Sequence, residues 1–178
     1  VMNMGFWGIY LDTFGKNHIT HECFNPKHGH PAGGGNFDTQ AQLSLGRQVR
    51  KLIKGINPDS YMGGEACTEL FVPVLDYKLN AMNTYPGQIP LERAIFGDYI
   101  LSHGRTIRSD NELNSCRMLA SNFTEGMIPG RFFGQPFQSK PAQDFLRKII
   151  AYTNNNFEYL RGGKMLRPLE LSPEPQTV

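Results

Sequence analysis

Two carboxylates stand where a barrel enzyme would keep them. Asp12 ends the apolar run Phe6 to Leu11, and Glu65 ends a second run from Ser60, inside Met62-Gly-Gly-Glu-Ala-Cys-Thr-Glu69. They lie 53 residues apart, the length of one strand–helix unit with a long loop, so neighbouring strands are expected to carry them. Enzymes built on parallel barrels place their reacting groups at the C-terminal ends of strands. Adjacent strands are about 4.8 Å apart. Two side chains from such ends reach the separation of about 5–5.5 Å that a retaining glycosidase uses. One carboxylate then attacks the anomeric carbon and the other protonates the leaving oxygen. Glu69 competes with Glu65 for the acid/base role. Asp98, in Phe96-Gly-Asp-Tyr-Ile, is a candidate for binding a sugar hydroxyl, and Asp76 also falls in a strand-like segment. The plainer reading of each is a carboxylate that caps a helix or closes a turn.

The second constellation is a histidine loop. His18, His21, Cys23, His28 and His30 fall within 13 residues. Imidazole and thiolate are zinc ligands, which makes a metal-dependent hydrolase the alternative reading of this loop. The spacing follows none of the usual zinc patterns, and His21-Glu22 does not continue into H-E-x-x-H. The first reading therefore expects no metal and no cofactor. His28 and His30 can instead bond sugar hydroxyls through one donor and one acceptor nitrogen. For His18 and His21, bonds to the loop's own backbone are the favoured reading. Gly33-Gly34-Gly35 lacks the Lys-Ser/Thr of a phosphate loop and reads as a tight turn. Among the aromatic residues near predicted strand ends, Tyr10 is the candidate sugar contact, and the rest are expected mainly in the core.

Strands and helices must position these groups. Phe6 to Leu11 is continuously apolar, as suits a strand covered on both faces. A loop from Thr13 to Phe37 follows, then a helix from about Gln40 to Lys54. Its start carries Thr39-x-x-Gln42, a capping-box pattern. Leu45, Val49, Leu52, Ile53 and Ile56 share one face of it. Further strands are predicted over Ser60–Glu65, Val72–Leu79, Ala94–Ile107 and Met127–Phe133. A helix opened by Ser109-x-x-Glu112 carries Leu113, Cys116, Ala120 and Phe123 on one face. A last helix begins near Ala142 and closes at Gly162-Gly163. Alternation of this kind predicts an α/β fold of βα units around a parallel sheet. About five such units fit, against the eight strands and roughly 250 residues of a whole barrel.

The bulk properties narrow the classes. The 178 residues suffice for one domain with a core, and 39% hydrophobic with 19% charged residues is an ordinary globular balance. A net charge of +2, spread along the chain, gives no footprint for nucleic acid. No apolar run is long enough to span a bilayer, and no signal-peptide pattern opens the chain. Three widely spaced cysteines do not make a disulfide framework or define a compartment. Because the chain opens almost directly on a buried-type strand, it is expected to be a piece of a longer protein.

Gly8-Ile-Tyr-Leu-Asp-Thr-Phe-Gly15, Cys23-Phe-Asn-Pro-Lys-His-Gly-His-Pro-Ala-Gly-Gly-Gly35 and Gly64-Glu-Ala-Cys-Thr-Glu69 together resemble a largely uncharacterised bacterial family of glycoside-hydrolase-like TIM barrels. Ile89-Pro-Leu-Glu-Arg-Ala-Ile-Phe-Gly-Asp-Tyr99 and Gly163-Lys-Met-Leu-Arg-Pro168 extend the likeness over nearly the whole chain. More distantly, the chain is similar to the endo-α-N-acetylgalactosaminidase and α-galactosidase groups. The resemblance implies that residues 1–168 are the C-terminal part of a TIM-barrel catalytic domain and 169–178 a mobile tail. The first strand here would be about the fourth of eight, and the N-terminal half of the barrel would be missing. It further implies Asp12 as nucleophile, Glu65 as acid/base, and His28 and His30 lining a sugar pocket. The expected partner is a carbohydrate, with neither nucleic acid nor membrane. A non-catalytic carbohydrate-binding barrel is the other alternative.

Overall fold

The computed structural model describes residues 5–15, 22–65, 68–80, 89–104, 106–108 and 111–163. Four strands, β1 (Gly8–Leu11), β2 (Tyr61–Glu65), β3 (Tyr77–Leu79) and β4 (Leu101–His103), form one parallel sheet in chain order. Two more, β5 (Ile107–Arg108) and β6 (Phe132–Phe133), pair in parallel with each other. The register joins the two sets. His103 bridges Ile128, Ile107 pairs with Phe132, and Arg108 pairs with Phe133, each partner 25 residues further along the chain. A constant offset means that β4 and β5 are one strand line, interrupted near Gly104, beside a fifth line running from Ile128 to Phe133. The molecule is thus an α/β protein whose parallel sheet has five strand lines among the described residues.

Helices alternate with these strands: α1 (Phe37–Ile56), α2 (Leu91–Phe96), α3 (Glu112–Thr124), α4 (Lys140–Asn155) and α5 (Phe157–Gly162). The core lies between α1 and one face of the sheet. Phe14, Leu43, Ile53, Met62, Phe71, Val74, Leu75 and Ile100 are buried together, with Ile9 and Leu11 packed against them. Since side chains alternate along a strand, Ile9, Leu11 and Met62 facing α1 turn Tyr10, Gly63 and Glu65 to the opposite face. That opposite face carries the chemistry described below.

Several elements depart from the sequence expectation. α1 begins at Phe37 behind Asn36, so Thr39 sits inside its first turn and is no cap. The face it buries is Leu43, Gly46 and Ile53, while Leu45, Leu52 and Ile56 are each more than half exposed. Apolar residues spread over too wide an arc of this helix for spacing alone to select the buried side. Only Tyr77–Leu79 of the predicted Val72–Leu79 strand is extended. Ahead of it, a 3₁₀ turn at Glu69–Phe71 leads into the buried Val74 and Leu75. The predicted strand over Ala94–Ile107 fails at its start, because residues to Phe96 belong to α2. Arg93 anchors that helix: it is buried, and its guanidinium donates to the carbonyls of Gly126 and Leu160.

Asn111 caps α3, accepting from the N–H groups of Leu113 at 3.0 Å and Asn114 at 3.3 Å. Glu112 reaches across to the start of α4 instead, accepting from the N–H groups of Gln138 and Ser139 at 2.7 Å. The buried residues of α3 are Ser115, Leu119 and Asn122, whereas Leu113 is exposed. The final helix is split at Asn156 into α4 and α5. Ser109 and the tail 169–178 lie outside the described residues. No helix of the described residues is long and apolar enough to cross a membrane.

Candidate active site

The register places the two carboxylates. Leu11 and Gly64 are the last pair of the register, so Asp12 and Glu65 are next to each other in the ladder's direction, Asp12 in the turn after β1 and Glu65 closing β2, at the C-terminal edge of the sheet. Thr13 joins them. Its N–H donates to Oε2 of Glu65 at 3.2 Å, and its hydroxyl lies 3.4 Å from Oδ2 of Asp12. The Glu65 N–H in turn donates to the Phe14 carbonyl at 3.0 Å. Thr13 has φ 61, and it is the one described non-glycine residue in the left-handed region. For a β-branched residue this conformation is strained. Strain of this kind persists only where the surroundings over-determine it, and it gathers at functional sites. Here the hydrogen bonds on either side of Thr13 hold it.

Four further side chains converge on the same face. The Tyr77 ring lies over Gly63, where an added Cβ would sit 2.2 Å from two of its atoms. The missing side chain lets the Tyr77 hydroxyl cross β2 and donate to the Ile9 carbonyl at 3.2 Å. His103 stands 5.7 Å from the Tyr77 ring and 6.3 Å from the Tyr10 ring, centroid to centroid. The Arg131 guanidinium is 5.8 Å from the centre of the Tyr10 ring and donates to the Thr106 hydroxyl at 3.2 Å. In a flat sheet β1 and β4 would be about 14 Å apart, three steps of about 4.8 Å. Contact between Tyr10 and His103 therefore requires this face to be concave.

The electrostatics follow from that crowding. The Tyr10 phenol is pushed up to about 12, chiefly by burial and next by the Glu65 charge; Arg131 opposes the shift and Asp12 adds to it. Its hydroxyl is buried with no hydrogen-bond partner among the described residues. It thus remains a proton donor at neutral pH, facing both carboxylates. Burial, together with the Arg131 charge, lowers the pKa of His103 against the opposing hydrogen bond to Gly104, which keeps the imidazole neutral at pH 7.

The other sequence candidates sit elsewhere. Glu69 is exposed in the 3₁₀ turn after β2. Asp98 precedes β4, at the edge of the sheet opposite Asp12 and Glu65, and lines a surface cleft with Asp76 and Tyr99. Asp76 lies at that same N-terminal edge and is structural. Arg50 grips it with two hydrogen bonds of 2.8 Å, and it accepts from the Met62 N–H at 2.9 Å. Burial opposes its ionisation, but the Arg50 bonds and the Met62 N–H outweigh that and hold its pKa below the ordinary value. His28 and His30 group with Cys23 in the loop after β1. His18 and His21 lie outside the described residues. Tyr77, His103 and Arg131 were not singled out from the sequence. His103 had the available signal, a polar residue closing the run Ile100-Leu-Ser-His103, the same rule that found Asp12.

A parallel α/β sheet with paired carboxylates on its C-terminal edge defines a class of candidate enzymes. Residues 1–107 match the family described as "Domain of unknown function (DUF6259)", and the chain belongs to that family. The match includes Asp12, Glu65, Tyr77 and His103, while Arg131 lies beyond it. The chain is also distantly related to a protein of Bacteroides thetaiotaomicron named "Putative glycoside hydrolase", with 25% identity over 171 residues. That alignment covers 91% of this chain and 25% of the relative, so the chain spans about a quarter of the relative's length.

Proposed function

We propose that this chain carries the carboxylate pair of a retaining glycoside hydrolase acting on an oligosaccharide, polysaccharide or glycoconjugate. Asp12 attacks the anomeric carbon, and Glu65 protonates the departing oxygen and then activates water. His103 and Arg131 hold sugar hydroxyls on the concave face, and Tyr10, its own hydroxyl buried, lines that face beside them. Asp98 has no part in this, being on the far edge. The sheet is read as five consecutive strands of a (β/α)8 barrel, completed by strands that flank β1 in a longer protein.

The observation that supports the proposal is that Asp12 and Glu65 directly follow the paired residues Leu11 and Gly64 of neighbouring parallel strands, joined through Thr13. Backbones about 4.8 Å apart allow two such carboxyls to reach the short separation of the retaining mechanism. The distant relative's name points to the same chemistry. The alternative of a carbohydrate-binding barrel makes no use of two carboxylates at one sugar.

The test uses the longer protein with aryl glycosides as substrates. Asp12→Asn should lower turnover by about 10³-fold or more while substrate binding survives, since it removes the nucleophile. Glu65→Ala should regain turnover with azide as an external nucleophile, and Glu69→Ala should not. A 2-deoxy-2-fluoro glycoside should leave an ester on Asp12, visible by mass spectrometry. Undiminished hydrolysis by Asp12→Asn sinks the assignment, and binding without turnover by the unaltered protein favours the binding barrel.

A further inference from the structure

The loop between β1 and α1 gathers three soft ligands that the glycosidase reading does not use. Cys23, His28 and His30 each offer one ligand atom, all within 4.8 Å of one another. The Sγ of Cys23 and Nδ1 of His28 are 3.1 Å apart. Around one tetrahedral zinc ion, sulfur and nitrogen ligands stand about 3.3–3.6 Å from each other. Small side-chain adjustments therefore suffice to gather all three on one ion.

The backbone beneath them is already fixed. Cys23 and Gly33 form an antiparallel bridge, with N–H to carbonyl distances of 3.0 and 2.9 Å. Gly29, at φ 70, turns the chain between the two histidines, whose rings are 5.8 Å apart. His30 stacks flat on Phe37, at 3.8 Å and an interplanar angle of 2°, against the start of α1. Its Nδ1 lies 2.8 Å from the Pro31 carbonyl, which can only accept, so Nδ1 carries the proton and Nε2 the free lone pair. A backbone carbonyl on the second nitrogen is the usual support of a metal-bound histidine.

We infer that Cys23, His28 and His30 form a binding site for a zinc-class divalent cation, with Sγ, Nδ1 and Nε2 as its respective ligands. Thiolate and imidazole select zinc over magnesium and calcium, which take oxygen ligands. As the metal–sulfur bond forms, the Cys23 thiol releases its proton to solvent. The ion ties the loop into a clamp beside the start of α1. Metal at Nδ1 of His28 leaves the proton on Nε2, which lies 2.8 Å from the Asn25 amide nitrogen. The amide oxygen meanwhile accepts from the Lys27 N–H at 3.0 Å. Metal binding thus sets two donors against each other at Asn25, and a carboxylate there would satisfy both.

The site is independent of the carboxylate pair, and its test needs no substrate. The 178-residue chain, stripped with chelator, is titrated with cobalt and then zinc. One equivalent of cobalt should give a thiolate charge-transfer band that zinc abolishes. Cys23→Ser should remove the band, and His28→Ala and His30→Ala should each weaken zinc binding at least tenfold, with unchanged far-ultraviolet circular dichroism. Asn25→Asp should tighten binding about tenfold or more, the size of effect seen for outer-shell partners. The inference is overturned if the unaltered chain binds no stoichiometric metal at micromolar zinc, or if Cys23→Ser binds it equally well.

Discussion

At the scale of the residue, Tyr10 is where structure and chemistry conflict most sharply. A buried hydroxyl without a partner costs stability, on the order of 1 kcal/mol or more. Tyr10→Phe should therefore leave the folded state as stable at pH 7 or raise its stability by up to about 1 kcal/mol. The pH dependence has a definite sign. Unfolded, the phenol ionises at its ordinary 10.0, and folded at about 12. Between those values the folded chain holds a proton that the unfolded chain has released, so stability falls as pH rises through that window. In Tyr10→Phe the fall should be shallower; a residual slope comes from Tyr77, whose phenol is also raised by burial and the Asp76 charge. Denaturant unfolding from pH 9 to 12 measures both chains, and identical slopes would contradict the burial of Tyr10. The sequence offered Tyr10 and Asp12 because they lie at the end of one apolar run, and Glu65 because it closes the next. It could not offer Arg131, which meets them only through the curvature of the sheet.

At the scale of the element, α2 shows what local sequence leaves open. Leu91–Phe96 is six residues of helix, too short for a period of 3.6 to stand out from the apolar run that follows. Its position is decided by a tertiary contact. Lys78 of β3 is 2% exposed on the face turned away from Tyr77, and its ammonium pairs with Glu92 of α2. Removing one partner of a buried pair leaves the other charge less well compensated, at a cost of about 3–5 kcal/mol when both are buried. Glu92 is 39% exposed, so solvent screening reduces this to about 2 kcal/mol for Glu92→Gln. Lys78→Met in that background should restore most of the loss, since an unbranched apolar side chain fills the space without needing a counter-charge. A double-mutant cycle by chemical denaturation reads the coupling; simple additivity of the two changes would mean that the pair does not hold α2 to the sheet. The same logic explains α1. Its existence was legible from apolar spacing, but the choice of Leu43 and Ile53 over Leu45 and Leu52 depended on where Phe14 and Val74 stand, 2.7 Å from a Cβ added at Gly46.

At the scale of the whole molecule, the alternation of strands and helices was readable because short continuous apolar runs alternate with segments whose apolar residues repeat at 3.6. Whether the sheet closes was not, because closure is a property of strands that meet only in space. Within the described residues β1 pairs with β2 alone. Phe6 and Trp7, which lead into β1, are exposed at 56% and 65%, and Leu45, Leu52 and Ile56 of α1 at 52–65%. An open strand edge beside apolar surface invites pairing. The barrel reading assigns that surface to flanking βα units of a longer protein, of which this chain would supply about five strands. Trp7 is the one tryptophan in the sequence, which makes it a reporter for that edge. At 65% exposure its emission in the 178-residue chain should be red-shifted and readily quenched by acrylamide. In a longer protein from the same gene, the indole should be buried, and quenching of a single-tryptophan version should drop several-fold. On the proposed function, glycosidase turnover should appear with that burial, because the flanking strands would enclose the sugar opposite Asp12 and Glu65. Equal quenching of Trp7 in both proteins would mean that β1 is a true edge, and the concave face would then be an open groove on which a polysaccharide chain lies rather than the mouth of a closed barrel.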